Sequence, residues 1–310
     1  MATSVLKVLA FDGGYNVPIW VAQKFGFFES NGLQVELSFT PNSGALVQAL
    51  MTGSADIALA GFDNFVAYQE GQGEAALELP PDIFSFMGGD SGFLTLVAKG
   101  EVTSMERLKG KKVSVDAMTT GFAFALREIL EKEGLRDGDI EYVKAGGTAQ
   151  RFLGLMAGQY DATLLRTPYE MLAMDRGFVA LTTVREQLGH YMGTVGATRR
   201  AWASSHESQL LQFIVSYRAA LDWLYTPGNR NTAVELLVEK VAGLDTAIAS
   251  SALDLLLDEQ EGLIADMRID PMSVQTVLKL RSKYGTPQKD LIDPTKYLDR
   301  SYLIKAFNAG

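Results

Sequence analysis

A nine-residue segment occurs twice in this chain. Met51-Thr52-Gly53-Ser54-Ala55-Asp56-Ile57-Ala58-Leu59 returns as Met156-Ala157-Gly158-Gln159-Tyr160-Asp161-Ala162-Thr163-Leu164, with Met, Gly, Asp and Leu repeated at an offset of 105 residues. Leu50 and Leu155 align in front of the two copies. Each copy reads as a helix ending at a glycine just past its last turn, a two-residue link, and then a strand. A single repeat of this length is not a solenoid, which needs several short units. It predicts two similar α/β lobes, each carrying the same unit, and 310 residues suffice for two lobes of about 150 with a core each.

The chain around each copy follows the same plan. Val5 to Phe11 has the length and β-branched content of a strand, and Leu33 to Phe39 alternates apolar and polar residues like a half-buried strand. Between them Pro18 opens a helix over Val17–Glu29, with Trp20, Val21, Phe25 and Phe28 on one face. The apolar stripe Ala45, Leu46, Ala49, Leu50 leads into the buried strand Ile57–Ala60. In the second half, Thr103 and Glu106 form a capping-box pattern, and Lys112–Val115 reads as a strand. A helix over Phe122–Glu133, a strand over Ile140–Val143 and a helix from Thr148 to Ala157 follow. This alternation implies parallel β-α-β units with right-handed crossovers. Tyr191 to Thr198 is strand-like and returns the chain to the first lobe, so segments near 90–99 and 190–197 cross between lobes like a hinge. From Ser205 the pattern is helical, with stripes at Leu210–Leu224, Val234–Val241, Ala247–Leu257 and Ser273–Tyr284.

Composition removes several function classes. There is no cysteine, which excludes disulfides, thiolate nucleophiles and iron–sulfur clusters. His190 and His206 are the only histidines, so no His-x-x-x-His helix exists and no metal site is expected. The net charge of -9 argues against a nucleic-acid binder; the basic clusters Lys109-Lys111-Lys112 and Arg199-Arg200 are short. No run approaches the ~18 apolar residues of a membrane span. No phosphate-binding Gly-Lys-Ser/Thr loop or dinucleotide fingerprint occurs, and no cofactor is expected. Met1-Ala2-Thr3-Ser4 runs straight into the first strand without a leader pattern, which leaves both a cytosolic protein and a trimmed exported one open.

Ligands of open α/β sheets bind beyond the carboxyl ends of the strands. Those positions are the loops at Asp12–Asn16, Thr40–Gly44 and Gly61–Asn64, and in the second lobe Asp116–Phe122, Gly146–Thr148 and Arg166–Tyr169. Several run into helix N-termini, where free N–H groups favour an anion. Ser43, Thr119, Thr120 and Thr148 add hydroxyls beside Gly44 and Gly121, and Arg166 offers a fork for a carboxylate or sulfonate. Arg166→Ala is expected to weaken ligand binding by ~2 kcal/mol. Tyr15, Phe62, Phe122, Tyr169 and Tyr191 suit a ligand with an apolar or ring-bearing body. Asp63 either accepts from the ligand or caps a helix starting at Asn64 or Phe65; Asp90 is equally ambiguous, and Asp116 is a possible partner of Arg166. Gly53, Asp56, Gly158 and Asp161 lie at the opposite strand ends and read as structural. Gly193 and Gly196 read as close-packing or hinge positions.

These residues resemble a known family. Pro18–Glu36, Ala49–Ala58, Leu108–Val115 and Gly158–Ala162 look, in that order, like the signature blocks of periplasmic substrate-binding proteins of the nitrate/sulfonate/taurine class, with thiamine-precursor-binding relatives. The resemblance spans about residues 5 to 225. It implies an α/β, two-lobed periplasmic-binding-protein fold of type II, with two crossing segments and a helical C-terminal extension packed on lobe one. Lobe one would comprise 1–95 and 194–310, lobe two 96–193, with the ligand cleft between them. The implied function is a periplasmic, monomeric receptor that captures a small organic anion by closing and delivers it to the membrane permease of an ABC transporter. Tyr15, Asn16, Ser43, Gly44, Thr120 and Gly121 fall on the family's cleft loops; Phe62, Asp63, Thr119, Arg166 and Tyr169 complete the candidate site. Cytosolic enzymes of the same fold are the alternative, with Asp63, Asp116 or His190 as acid or base; a ligand-sensing domain partnered with a kinase or regulator is a third reading.

Overall fold

The structure, a computed structural model, describes residues 4–308; the Met1-Ala2-Thr3 start lies outside them. The first half runs β1 (Ser4–Ala10), α1 (Val17–Lys24), α2 (Phe27–Ser30), β2 (Leu33–Phe39), α3 (Ser43–Thr52), β3 (Ile57–Gly61), α4 (Phe62–Gln69) and β4 (Ile83–Gly88). Then come β5 (Leu94–Ala98), β6 (Lys112–Val115), α5 (Gly121–Lys132), β7 (Glu141–Lys144), α6 (Thr148–Met156), β8 (Ala162–Arg166), α7 (Tyr169–Met174), β9 (Val179–Thr183) and α8 (Val184–Leu188). The chain ends with β10 (Thr194–Arg199), α9 (Arg200–Ser205), α10 (Glu207–Leu224), α11 (Arg230–Lys240), α12 (Thr246–Leu256), α13 (Pro271–Tyr284) and α14 (Ser301–Asn308).

Two five-stranded sheets result, ordered β2-β1-β3-β10-β4 and β7-β6-β8-β5-β9. The two orders are the same pattern written twice, and the repeated segment is its anchor. Gly53 and Gly158 both adopt left-handed φ values, 76° and 71°, behind α3 and α6. Asp56 accepts the Lys7 N–H with its side chain (2.9 Å), and Asp161 accepts the Lys112 N–H (3.0 Å). Lys7 and Lys112 are themselves 105 residues apart, so each aspartate ties the start of β3 or β8 to its neighbouring strand in the same way. The structural reading of these residues holds.

Each sheet also contains one antiparallel strand, where parallel β-α-β units were expected. β10 lies antiparallel between β3 and β4, and β5 antiparallel between β8 and β9. These are the strands that directly follow the two crossings. The crossings are tighter than expected, at residues 89–93 and 189–193. Tyr191 to Gly193 therefore belong to a crossing rather than to a strand, and Gly193 leaves no room for a side chain because Asp90 and Gly92 pack against it.

Other local expectations need correction. Helix α4 begins at Phe62, and Asp63 in its first turn makes no cap bond. The Thr103/Glu106 capping box does not form; Ser104 precedes a short 3-10 turn over Met105–Leu108 instead. The C-terminal helices form as expected, and α10 packs on α1 and α2 of the first half. Helix α13 does more, packing on both α4 and α5 and so touching both halves. Among the described residues no helix is long and apolar enough to cross a membrane.

Candidate functional site

The carboxyl ends of the two sheets face each other. A cavity of about 250 Å³ lies between them, lined by Phe11 and Asp12 after β1, by Phe39, Thr40 and Pro41 at the end of β2, and by Gly147 to Gln150 at the start of α6. Larger grooves lie elsewhere, along α13 and behind the crossings, away from the strand ends. The small cavity differs from them in lying at the strand ends, with residues of both halves in its lining.

Its second-half wall is the first turn of α6. Gly147 precedes the helix and no side chain caps it. The N–H groups of Thr148, Ala149 and Gln150 are therefore free of an intrahelical partner at the positive end of the helix dipole. Against this turn lies Arg151, 2% exposed, donating to Gly146 O (2.7 Å), Thr148 Oγ1 (3.3 Å) and Leu164 O (3.1 Å). Its Nε has no partner. Burial pulls its pKa below the ordinary arginine value, Asp116 opposes this, and among the described residues no carboxylate reaches ion-pair distance. On the facing wall, burial raises the Asp12 pKa, against a hydrogen bond from Tyr169 Oη to Asp12 Oδ2 (3.3 Å) that links the halves.

Arg166 sits deeper. Its Nη2 donates to Asp90 Oδ2 (2.5 Å) and its Nη1 to Thr194 Oγ1 (3.0 Å). The expected alternative, a pair with Asp116, is not made. Asp90 Oδ1 accepts the N–H groups of Gly92 (2.9 Å) and Thr194 (3.1 Å), so this aspartate joins both crossings to the end of β8. The guanidinium of Arg166 lies 3.8 Å above the Tyr15 ring centroid and 4.7 Å from that of Phe93. Tyr15 thus reaches Arg166 across the halves by a cation–π contact.

Asp63 neither caps a helix nor stands free. Its oxygens accept from Arg281 Nε (2.6 Å) and Nη2 (2.7 Å), and Arg281 also donates to Thr119 O (2.7 Å). The other sequence candidates divide as follows. Asn16 is buried, donating to Phe11 O (2.8 Å) and Gly13 O (3.0 Å), with Oδ1 unpartnered. Ser43 is buried at the start of α3, whose cap is Asn42, and Gly44 packs under Tyr68. Thr119 Oγ1 donates to Glu74 (2.8 Å), Thr120 Oγ1 to Ala117 O (2.9 Å), and Gly121 lies against Asp63. Phe62 is core, edge-on to Tyr297. The structure therefore brings Tyr15, Arg166, Asp63, Gly121 and Tyr169 to the contact between halves, but none of the eleven expected site residues lines the cavity itself. Sequence reasoning placed Asp12 at the start of a ligand loop without giving it a role, and missed Phe11, Phe39, Arg151 and Arg281. Phe11 and Phe39 end strands already identified, which was the available signal; Arg281 had none.

A family model described as NMT1/THI5 like matches residues 14–229. The chain belongs to the NMT1/THI5-like family. Solved structures share the fold of this NMT1/THI5-like protein over nearly its whole length. The periplasmic nitrate-binding protein NrtA from Synechocystis PCC 6803 is 13% identical, with a TM-score of 0.82 over 99% of this chain and 89% of that one. The alkanesulfonate-binding protein SsuA from Xanthomonas axonopodis pv. citri, bound to MOPS, is 18% identical with a TM-score of 0.73 over 99% and 98%. The desulfurization enzyme DSZB is 11% identical with a TM-score of 0.66 over 98% and 99%. At such identities the likeness is one of fold. No curated protein sequence matches the chain. The family match includes Arg151 and Arg166 but stops before Arg281.

Proposed function

We propose that the protein is the solute receptor of an ABC importer, working in the periplasm as a monomer and handing a small organic acid to a membrane permease. Residues 4–88 with 194–308 form one lobe and residues 94–188 the other, since the expected boundary at 95/96 would cut β5, and the solute is held between them. The observation that carries this reading is the cavity built jointly by Phe11–Asp12, Phe39–Pro41 and Gly147–Gln150. The acid group, a sulfonate or carboxylate, would take the free N–H groups of α6 with Arg151 beneath. Phe11 and Phe39 would cover an apolar or ring-bearing body, and Asp12 would accept from a ligand donor. Buried charge without a partner is costly, and an anion at α6 lowers that cost for Arg151. Family membership supports the reading, as do relatives of this fold named for nitrate and alkanesulfonate binding. Binding selects a closed arrangement only through contacts made there and not in the open one.

A thermal-shift screen of sulfonates, carboxylates, pyrimidines and flavin-like compounds, followed by calorimetry and a crystal structure with the best hit, tests the reading. A hit seated between α6 and Phe11 supports it; a hit bound outside the cleft, or one converted to product, ends it. Conversion would favour the second reading, an enzyme on the same fold. The Asp12–Tyr169 pair on the cavity wall, with the Asp12 pKa raised, is the observation that supports an acid–base role there.

A further inference from the structure

The other edge of the cleft is already filled. Asp63 extends from the first turn of α4 in the first half. Gly121, the first residue of α5 in the second half, has no space for a side chain because the Asp63 carboxyl occupies it. A carboxylate from one half therefore lies against the positive end of a twelve-residue helix in the other. It is held there by a two-pronged arginine contact of the kind that suits carboxylates and sulfonates. Arg281, 0% exposed, gives two further N–H groups to Thr119 O and Gln72 Oε1 (3.2 Å), and its guanidinium lies 4.8 Å from the Phe124 ring centroid. Four of its five N–H groups are thus engaged. Nothing at this edge is left to neutralise a second acid, and an incoming one would meet the charge of Asp63.

We propose that Asp63 is a built-in anion occupying one of two acid-holding positions in the cleft, so that the ligand is restricted to a single acidic group. Resting on the receptor reading above, this deepens it: the α6 position takes the solute's acid, and the α5 position takes the protein's own. Arg281 is then a positioning residue, supplied by a helix beyond the family-matched span.

The test uses the full chain as wild type, Asp63→Ala and Asp63→Asn, by thermal shift and calorimetry. The probes are benzenesulfonate, benzene-1,3-disulfonate, acetate and acetamide. Acetate is expected to raise the midpoint of Asp63→Ala saturably by about 2 °C or more beyond any shift it gives wild type, while acetamide does not. Wild type is expected to take the disulfonate at least tenfold more weakly than the monosulfonate, and Asp63→Asn to narrow that gap. If wild type takes neither arene sulfonate, the acetate response still decides the role of Asp63. If it takes the monosulfonate but Asp63→Ala ignores acetate, this inference fails and the receptor reading stands. An Asp63→Ala chain that stays unfolded in acetate, with Asp63→Asn folded and no better at taking the disulfonate, overturns it as well.

Discussion

The two edges of the cleft hold their charge differently. At the α5 edge, Asp63 and Arg281 neutralise each other inside the protein, and Lys283 reinforces the closure from α13 by pairing with Glu128 (2.6 Å) and Glu131 (2.7 Å). At the α6 edge, Arg151 is as deeply buried as Arg281 but has main-chain oxygens and one hydroxyl instead of a carboxylate. One edge is complete; in the function proposed above, an outside acid completes the other. On that reading two arginines of similar burial serve opposite ends, one fastening the halves and one meeting a solute.

Removing a partner from the complete edge should have the largest effect. Asp63→Ala leaves Arg281 buried without its counter-charge and is expected to cost about 3–5 kcal/mol in urea denaturation. The double change Asp63→Leu with Arg281→Met should recover most of that loss. Equal losses in the single and double variants would show that the contact is packing rather than charge. At the other edge, Arg151→Met should leave stability near wild type and weaken binding of the best screened acid by about 2 kcal/mol, measured by calorimetry. Arg166→Ala offers the contrast. Because Asp90 keeps two main-chain donors, its effect should fall on stability more than on affinity. An affinity loss for Arg166→Ala exceeding that of Arg151→Met would move the acid site to Arg166 and end the distinction drawn here.

Two glutamates sharpen the comparison with smaller effects. Glu170 is fully buried; burial raises its pKa to about 7 against a hydrogen bond from Thr167 Oγ1, and its Oε2 has no partner. Its folded pKa lies above the unfolded value of about 4.3, so the folded state holds the proton more tightly. The associated stability is full below about pH 4 and is lost as pH rises through about 7. Glu170→Gln should flatten this slope and raise the midpoint at pH 8 relative to wild type. Glu70 has the opposite sign. Burial pushes its pKa up, but hydrogen bonds from Lys296, Lys289 and Tyr297 outweigh it and hold the value at about 2. Its stabilisation is present above about pH 4.3 and disappears as pH falls through about 2, which Glu70→Gln should abolish in an acid titration followed by circular dichroism.

Much of the fold is written in short-range sequence pattern. Met, Gly and Asp at matching positions identified two units of one design, and their roles at Gly53, Gly158, Asp56 and Asp161 are local, settled within a helix turn and a neighbouring strand. The apolar stripes placed α1, α3, α5, α6 and α10 to α13 for the same reason, since a period of 3.6 is a property of adjacent residues. The antiparallel direction of β5 and β10 escaped notice because a strand's direction within a sheet leaves no mark in its own residues.

The site was legible as a set of loops but not as a set of partners. Strand ends located Tyr15, Thr120, Gly121 and Arg166 near the cleft, yet which acid answers which arginine depends on segments far apart in the chain. Asp63 and Arg281 are separated by 218 residues and Asp90 and Arg166 by 76. Short-range pattern therefore determined that two α/β halves exist and where their mouths lie. Only the packed molecule decided which charges inside those mouths are already satisfied, because an ion pair is a matter of distance in space, and that distance is set by how whole helices and sheets come together.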